Sequence, residues 1–404
     1  MSAIEAVLYN PYLPGVRENP YPHYGQLRSE APVHWSPIGS WIVSRFADGE
    51  AILTDRSFTV TEPREWGAGA GVEYDNPGLD KVLDRLGRMM LFKNPPDHTR
   101  LRGLVSKAFT ARAVEAMRPR IREIVGELLA LARRSSAMDL IADLAYPLPA
   151  MVIAEMLGVP PQDRDRFRLW SRDLAPTIDP MILPEQIDRA AAAIDQFGDY
   201  FGHLIAKRRA EPKNDLLSAM IAAEEHGDKL SHEELIANAM LLLNAGHETT
   251  TNLIGNGMLA LLRNPAELSR LREDPALAPS AIEELLRYDS PVQMTGRRAK
   301  VDWEVGGVRI EAGEQVIVLI GAANRDPDHF ANPDHLDVGR SGNDHLSFGG
   351  GAHYCLGASL ARAEGQIAIG ALATEFPNLR LATESLEWRE TLTLRGLKAL
   401  PVEF

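Results

Sequence analysis

The chain has 404 residues, long enough to bury most of its apolar surface in one core, and carries a net charge of −13 from 43 Lys and Arg against 56 Asp and Glu. A balance this acidic argues against general nucleic-acid or anionic-membrane binding. Cys355 is the only cysteine, which excludes an intrachain disulfide and fits a reducing compartment. No stretch reaches the ~18 uncharged apolar residues that span a bilayer. The opening segment MSAIEAVLYNPYLPG has neither a basic start nor a long apolar run, so the expected location is the cytoplasm; a monomer is expected.

In chain order, a short helix at Tyr21–Glu30 precedes strand-like runs at Pro32–Trp35 and Ser40–Val43. Pro63–Pro77, with Gly67, Gly69 and Gly71 spaced by alanines, reads as a loop. From Asp97 onward apolar residues recur at helical spacing over Ala113–Arg134, Leu148–Leu157, Asp163–Leu174, Pro184–Arg209 and Asp215–Glu225. Ser231 with Glu234 is a capping box that opens the longest apolar helix, Ser231 to Arg263, and Pro265 follows its end. Another helix runs from Pro275 or Pro279 to Tyr288. Strands return at Val305–Ile310 and Gln315–Ile320 around the turn Glu311–Glu314, and a last helix follows Gly357. Nothing between residues 92 and 400 marks a linker. The reading is one domain over residues 1–404, mostly α with a minor β part (α+β) near 32–60 and 292–320. There is no dinucleotide or Walker fingerprint, so reducing equivalents for any redox chemistry come from outside.

Chemistry concentrates in Phe348-Gly349-Gly350-Gly351-Ala352-His353-Tyr354-Cys355-Leu356-Gly357. A lone cysteine among glycines is ordinarily a small buried residue. Here Gly349, Gly351 and Gly357 allow close approach to a flat ligand, and the following helix points its positive end at the sulfur, favouring thiolate. The N–H groups of Leu356 and Gly357 are placed to bond that sulfur. A second cluster, Ala245-Gly246-His247-Glu248-Thr249-Thr250, lies midway along the long helix. A carboxylate inside an apolar helix is costly without a partner or a task, and Gly246 weakens the helix beside it. Thr249 either bonds back to a carbonyl one turn earlier or turns its hydroxyl to a ligand. His98 and Arg102, four apart, share one helix face after Pro95-Pro96. Between Lys93 and Arg122 basic residues crowd: Lys93, Arg100, Arg102, Lys107, Arg112, Arg118, Arg120 and Arg122 face only Asp97 and Glu115.

The Cys355 segment fits F-G-x-G-x-H-x-C-x-G at every specified position, and so resembles the cysteine-ligand loop of the cytochrome P450 family. Glu284-Leu285-Leu286-Arg287, Asn324-Arg325-Asp326-Pro327, Asp97–Arg102 and Ala245–Thr250 are similar to further segments of that family. The resemblance runs from about Asn19 to Phe404. Met89-Met90-Leu91-Phe92 and Gln293-Met294-Thr295 look most like bacterial members that oxidise macrolides and fatty acyl chains.

This resemblance implies the cytochrome P450 fold, its long central helix passing over a haem b held through an axial Cys355 thiolate. It implies a monooxygenase that activates O2 to hydroxylate a hydrophobic small molecule. His98, Arg102, Arg297 and His353 become partners of the haem propionates, with Arg298 the alternative to Arg297. Gly349, Gly357 and Ala245 lie against the ring. Glu248 and Thr249 become the acid–alcohol pair that handles oxygen and protons. Glu284, Arg287 and Arg325 form a structural ion network behind the cysteine loop. Met90, Ile178, Leu241, Ala245, Val292 and Met294 wall the substrate pocket, where Arg64 either meets a substrate carboxylate or is a plain surface arginine. Electrons come from a ferredoxin or flavodoxin with its NAD(P)H-dependent reductase, docked on the basic run through Lys107 and Arg112. Oxidative C–C cleavage or desaturation of a fatty-acyl-type substrate would leave the same sequence. A non-catalytic haem-binding sensor or carrier would not need Glu248 and Thr249.

Overall fold

The structure, a computed structural model, describes residues 8–13, 15–65, 76–179, 182–225 and 228–404. Most of the predicted Pro63–Pro77 loop, residues 66–75, lies outside them. The molecule is built around the helix His232–Arg263. Its cap is the one the sequence predicts: Ser231 Oγ accepts from the Glu234 N–H at 3.3 Å, and Glu234 Oε2 accepts from the Ser231 N–H at 2.8 Å. Leu235–Leu243 and Thr250–Leu261 are buried at every position. A helix buried all round runs through a core, not over it. Helices Pro147–Met156, Pro184–Ala210, Ala278–Tyr288 and Ala358–Glu375 pack around it.

Among the described residues, three helices of nine or more residues escape the sequence reading. Phe46–Thr54 is short and has no capping side chain. Pro77–Gly87 and Pro265–Glu273 each begin with proline at the first helical turn, where the missing N–H costs nothing. Pro265 therefore starts a helix as well as ending one. The helix expected over Asp215–Glu225 spans only Leu216–Ala222, and Glu224–Glu225 pairs instead with Asp228–Lys229.

The main sheet runs in the order Val33–Ser36, Ser40–Val43, Gln315–Leu319, Met294–Ala299, Phe58–Thr59. Gln315–Leu319 lies parallel to Ser40–Val43 and antiparallel to Met294–Ala299, so distant parts of the chain share one sheet. The strand expected at Val305–Ile310 is a hairpin of Trp303–Val305 with Val308–Ile310. Gly306 and Gly307, at φ 58° and 76°, make its turn in the left-handed region that glycine enters without strain. A further sheet of Arg380–Leu381, Pro401–Glu403 and Ala137–Asp139 lies where only helix was expected. Among the described residues no helix is long and apolar enough to cross a membrane.

Behind the cysteine loop sits a buried ion cluster. Glu284 Oε2 accepts from Arg287 Nε at 2.7 Å and from Arg340 Nε at 3.0 Å, with Glu284 and Arg287 both at 0% exposure. Arg287 also donates to the carbonyls of Asn324 and Pro333. This corrects the expected third member. Arg325 does not reach Glu284; it donates to Tyr288 O and Asp334 and lies between the rings of Tyr21 and Tyr288. Asn324, its neighbour, ties in the loop by donating to Ser347 Oγ at 2.8 Å and accepting from the Leu346 N–H at 2.8 Å. Removing one partner of a fully buried pair costs about 3–5 kcal/mol. Arg340→Met should lose that much in urea unfolding of the loaded protein. Asp334→Ala, whose carboxylate is 75% exposed, should lose under about 1 kcal/mol. Equal losses would centre the cluster on Arg325 instead.

Candidate active site

The loop before Cys355 turns back on the helix Phe46–Thr54. Gly349 and Gly351 hold φ of 71° and 62°. A Cβ at Gly351 would sit 2.6 Å from Leu53 O, so only glycine fits. The Cys355 N–H donates to Phe348 O at 2.9 Å and closes the loop. Gly357 lies against the sulfur, which is 4.0 Å from where its Cβ would be. The sulfur faces a cavity but lies deep in the protein. Burial pushes the thiol pKa up, while the N–H groups of Gly357 and Ala358 and the cations Arg102 and Arg362 pull it back. The two backbone donors are thus Gly357 and Ala358, with Ala358 in the place expected of Leu356. Arg362, which the sequence reading missed, is held by Glu283 at 2.7 Å and lies 4.5 Å over the Phe348 ring.

Beside the sulfur gather His98, Arg102, Arg297 and His353, none of which is paired with an acid among the described residues. The rings of His98 and His353 are 4.0 Å apart. Arg102 Nη2 donates to Tyr354 O at 2.7 Å. Arg297 is 6% exposed and bonds only Thr295 Oγ1 and Gly296 O, with no ion pair among the described residues. Burial pushes Arg297 down to about 10. Burial, His98, Arg297 and Arg102 together push His353 down to about 3. Such a cluster is stable only when anions enter it. Arg298, one residue on, points the other way and meets Glu65 at 3.5 Å. Among the described residues no group of three or more His, Cys, Asp or Glu could hold a bare metal ion. A metal at Cys355 must therefore bring its other ligands with it. A flat metallomacrocycle with two carboxylates, such as haem b, fits this donor set, the glycine loop and the unpaired cation.

The cavity holds about 490 Å³. It brings together every residue expected at the cofactor or the substrate, from His98, Arg102, Arg297, His353 and Cys355 to Met90, Ile178, Leu241, Val292 and Met294. Glu284, Arg287 and Arg325 lie outside it. Along the central helix, Ala245, Gly246, Glu248, Thr249 and Thr250 all line the cavity. Thr249 Oγ1 bonds back to Ala245 O at 2.9 Å, and Thr250 Oγ1 to Gly246 O at 3.3 Å. Thr249 is half-buried and Thr250 only 2% exposed. Glu248 is paired with Arg389 and lies 3.8 Å from His247 Nε2. Arg389 gives no signal in the sequence, since 141 residues separate it from its partner. Arg64 stands at the surface with Asp80, away from the cavity.

A family model described as Cytochrome P450 matches residues 70–382. The chain is 43% identical over 390 residues to the Biotin biosynthesis cytochrome P450 of Bacillus subtilis, covering 96% of each. It is 46% identical over 372 residues to Cytochrome P450 107B1 of Saccharopolyspora erythraea, covering 90% of this chain and 89% of the other. Its fold matches the crystal structure of P450BioI in complex with hexadec-9Z-enoic acid ligated acyl carrier protein, at a TM-score of 0.89 and 42% identity over 96% and 99% of the two chains.

If Arg297 holds a carboxylate, Arg297→Leu should weaken cofactor retention by about 2 kcal/mol, roughly thirtyfold, in transfer to apomyoglobin. Arg298→Ala should leave retention unchanged. The reverse pattern would move the contact one residue along the strand.

Proposed function

This chain belongs to the cytochrome P450 family of haem-thiolate monooxygenases, and from that premise we propose that it oxidises a neutral, apolar substrate with Glu248 and Thr249 supplying the protons. The observation that carries this reading is the division of one cavity into unlike ends. Its cations surround Cys355, where they suit the propionates. Its remaining walls are mostly apolar, among them Met90, Leu241, Val292 and Met294, and the other charged groups there are the acids Glu248 and Asp179. Asp179 is tied down by the N–H groups of Leu392 and Thr393 at 3.1 and 2.8 Å. Among the described residues, no further cation lines the cavity to meet a substrate carboxylate.

Haem bound at Cys355 supplies the oxygen-activating chemistry. His98, Arg102, Arg297 and His353 hold its carboxylates, and Gly349, Gly357 and Ala245 give the ring room. The apolar walls exclude water and orient the substrate. Thr249, freed from Ala245 O, presents its hydroxyl proton to the cavity, and Glu248 restores it. This pair disfavours a mere haem sensor or carrier. Relatives are named for biotin biosynthesis, polyketide biosynthesis and vitamin D(3) 25-hydroxylation. A macrolide, or an acyl chain masked as an ester or carrier thioester, fits the walls better than a free fatty acid. Hydroxylation is the reading adopted; C–C cleavage or desaturation of an acyl chain would show as a different product from the same cavity. Electrons arrive from a separate ferredoxin or flavodoxin and its reductase. Arg118 and Arg120 are already paired with Glu115, Glu123, Glu127 and Glu155, so exposed Arg112 and Arg122 are the better docking cations.

In titrations followed by the spin-state shift of the Soret band, long-chain methyl esters should bind about tenfold more tightly than the free acids, since an unpaired carboxylate buried among apolar walls is penalised. Tighter binding of the acids would overturn the proposed substrate class. Thr249→Ala should keep substrate binding but lower the ratio of product to NAD(P)H consumed, by as much as ~100-fold if the hydroxyl is the proton donor. Thr250→Ala should stay coupled. The opposite result would shift the donor by one residue.

A further inference from the structure

The central helix carries asparagines at 238, 244, 252 and 256, and the protein around them accounts for all but one. Asn238 accepts from the Met90 N–H at 3.0 Å and donates to Glu234 O at 2.8 Å. Asn256 donates to Arg395 O at 2.9 Å. Asn252 is 1% exposed and packs against Gly396, away from the cavity. Asn244 differs. It interrupts the apolar run Met240-Leu241-Leu242-Leu243-Asn244-Ala245 and lines the cavity. Leu241 and Glu248, one turn to either side, line it too, so this face of the helix is a cavity wall. Asn244 is half-buried. Its Oδ1 is buried without a partner, and its Nδ2, bonded to none of the described residues, is the end of the amide left open.

Turning the amide over would bury two N–H donors in place of one carbonyl oxygen, and buried donors without partners are the rarer and costlier case. The amino group therefore belongs on the cavity side. Other polar side chains of these walls are spent on the protein. Thr177, Thr249, Thr250 and Thr393 each donate to a backbone carbonyl, and Gln315 donates to Glu65 O. Asp179 accepts from the Thr393 N–H, and Glu248 is paired with Arg389. Asn244 offers a donor that needs no such bond broken first.

We propose that Asn244 is a specificity-determining residue whose amide N–H anchors a neutral carbonyl oxygen of the substrate, as in an ester, thioester, lactone or ketone. The proposal rests on the neutral, apolar substrate proposed above and names the polar group that such a substrate carries. A carbonyl moved from water to apolar walls loses its hydrogen bonds, and Asn244 replaces one of them. A cavity built around that donor disfavours an analogue with no acceptor, because the amide is then left dry. A neutral amide gives a carboxylate no charge partner, so the anchor selects carbonyl compounds without favouring free acids.

The test uses the haem-loaded protein and long-chain methyl ketones, each matched with the alkene in which a CH2 group replaces the carbonyl oxygen. In spin-state titrations the preference for ketone over alkene should fall about fivefold from the wild-type protein to Asn244→Leu, the worth of one hydrogen bond. The thiolate band of the reduced, carbon monoxide-bound variant should be unchanged, which shows its site intact. Infrared spectra of bound, carbonyl-labelled ketone read the contact directly. The stretch should lie where a hydrogen-bonded carbonyl absorbs in the wild-type protein, and move to its value in an apolar solvent in Asn244→Leu. Equal losses of ketone and alkene would overturn the anchor and leave the neutral-substrate reading standing. A wild-type stretch already at the apolar value would do the same without any variant. Free acids that bind more tightly than their methyl esters would overturn that reading, and the anchor with it.

Discussion

Everything at the active site depends on one carboxylate that never sees water. Glu284 takes hydrogen bonds from Arg287, Arg340, Asn343 and the Asp337 N–H. Each donor comes from chain that leads toward, or packs behind, the cysteine loop. Arg287 passes the constraint to Asn324 O, and Asn324 passes it to Leu346 and Ser347. Ser347 is further tied to Leu286 O at 2.7 Å. The next residues are Phe348 and the glycines that set the sulfur. A loop with two left-handed glycines has many alternatives in solution, and it is this network, with Leu53 beneath Gly351, that selects one.

The cavity shows the same economy of charge from the other side. Buried cations are normally paired, and most arginines of this protein are: Arg100, Arg120, Arg208 and Arg362 each meet a carboxylate. Arg297 breaks that pattern. Its isolation destabilises the protein until an anion arrives, so cofactor binding and folding of this region are coupled. Cys355 is in a related position. Burial works against its thiolate more than its donors support it, and a metal cation at the sulfur reverses that balance. The same site that penalises charge in the empty cavity therefore rewards a ligand carrying both a metal and carboxylates.

Legibility in the sequence followed the range of each interaction. The cap at Ser231, the helix Tyr21–Glu30 and the glycine–cysteine loop are local, and their residues are found where periodicity and spacing predict them. His98, Arg297 and His353 were reached through the family resemblance, because nothing in their own neighbourhoods distinguishes them from ordinary polar residues. What failed was long-range partner choice. Arg325 and Arg340 are both arginines downstream of Glu284, and sequence offers no means of ranking them. The structure does so through the rings of Tyr21 and Tyr288, which capture Arg325. The hairpin at Gly306-Gly307 was readable from turn chemistry, but the apolar run across it looked like a single strand.

The threonines of the central helix show how far a resting structure constrains a mechanism. Thr249, Thr250 and Thr251 all donate back to carbonyls one turn earlier, the ordinary habit of threonine in a helix. Hydrogen bonding alone therefore does not single out Thr249. Accessibility does: Thr249 is the least buried of the three, and Glu248 beside it is the one acid on this helix that reaches the cavity. Both members of the pair are occupied at rest, Thr249 by Ala245 O and Glu248 by Arg389. A proton can pass between them only after both bonds open. The helix is unbroken here, and Gly246 lets Ile153 pack close against it. Of the two contacts, the one between Thr249 and Ala245 O lies on the cavity wall, while Arg389 lies outside it. In the proposed function, proton transfer through this pair therefore waits on the opening of contacts that the resting structure keeps closed.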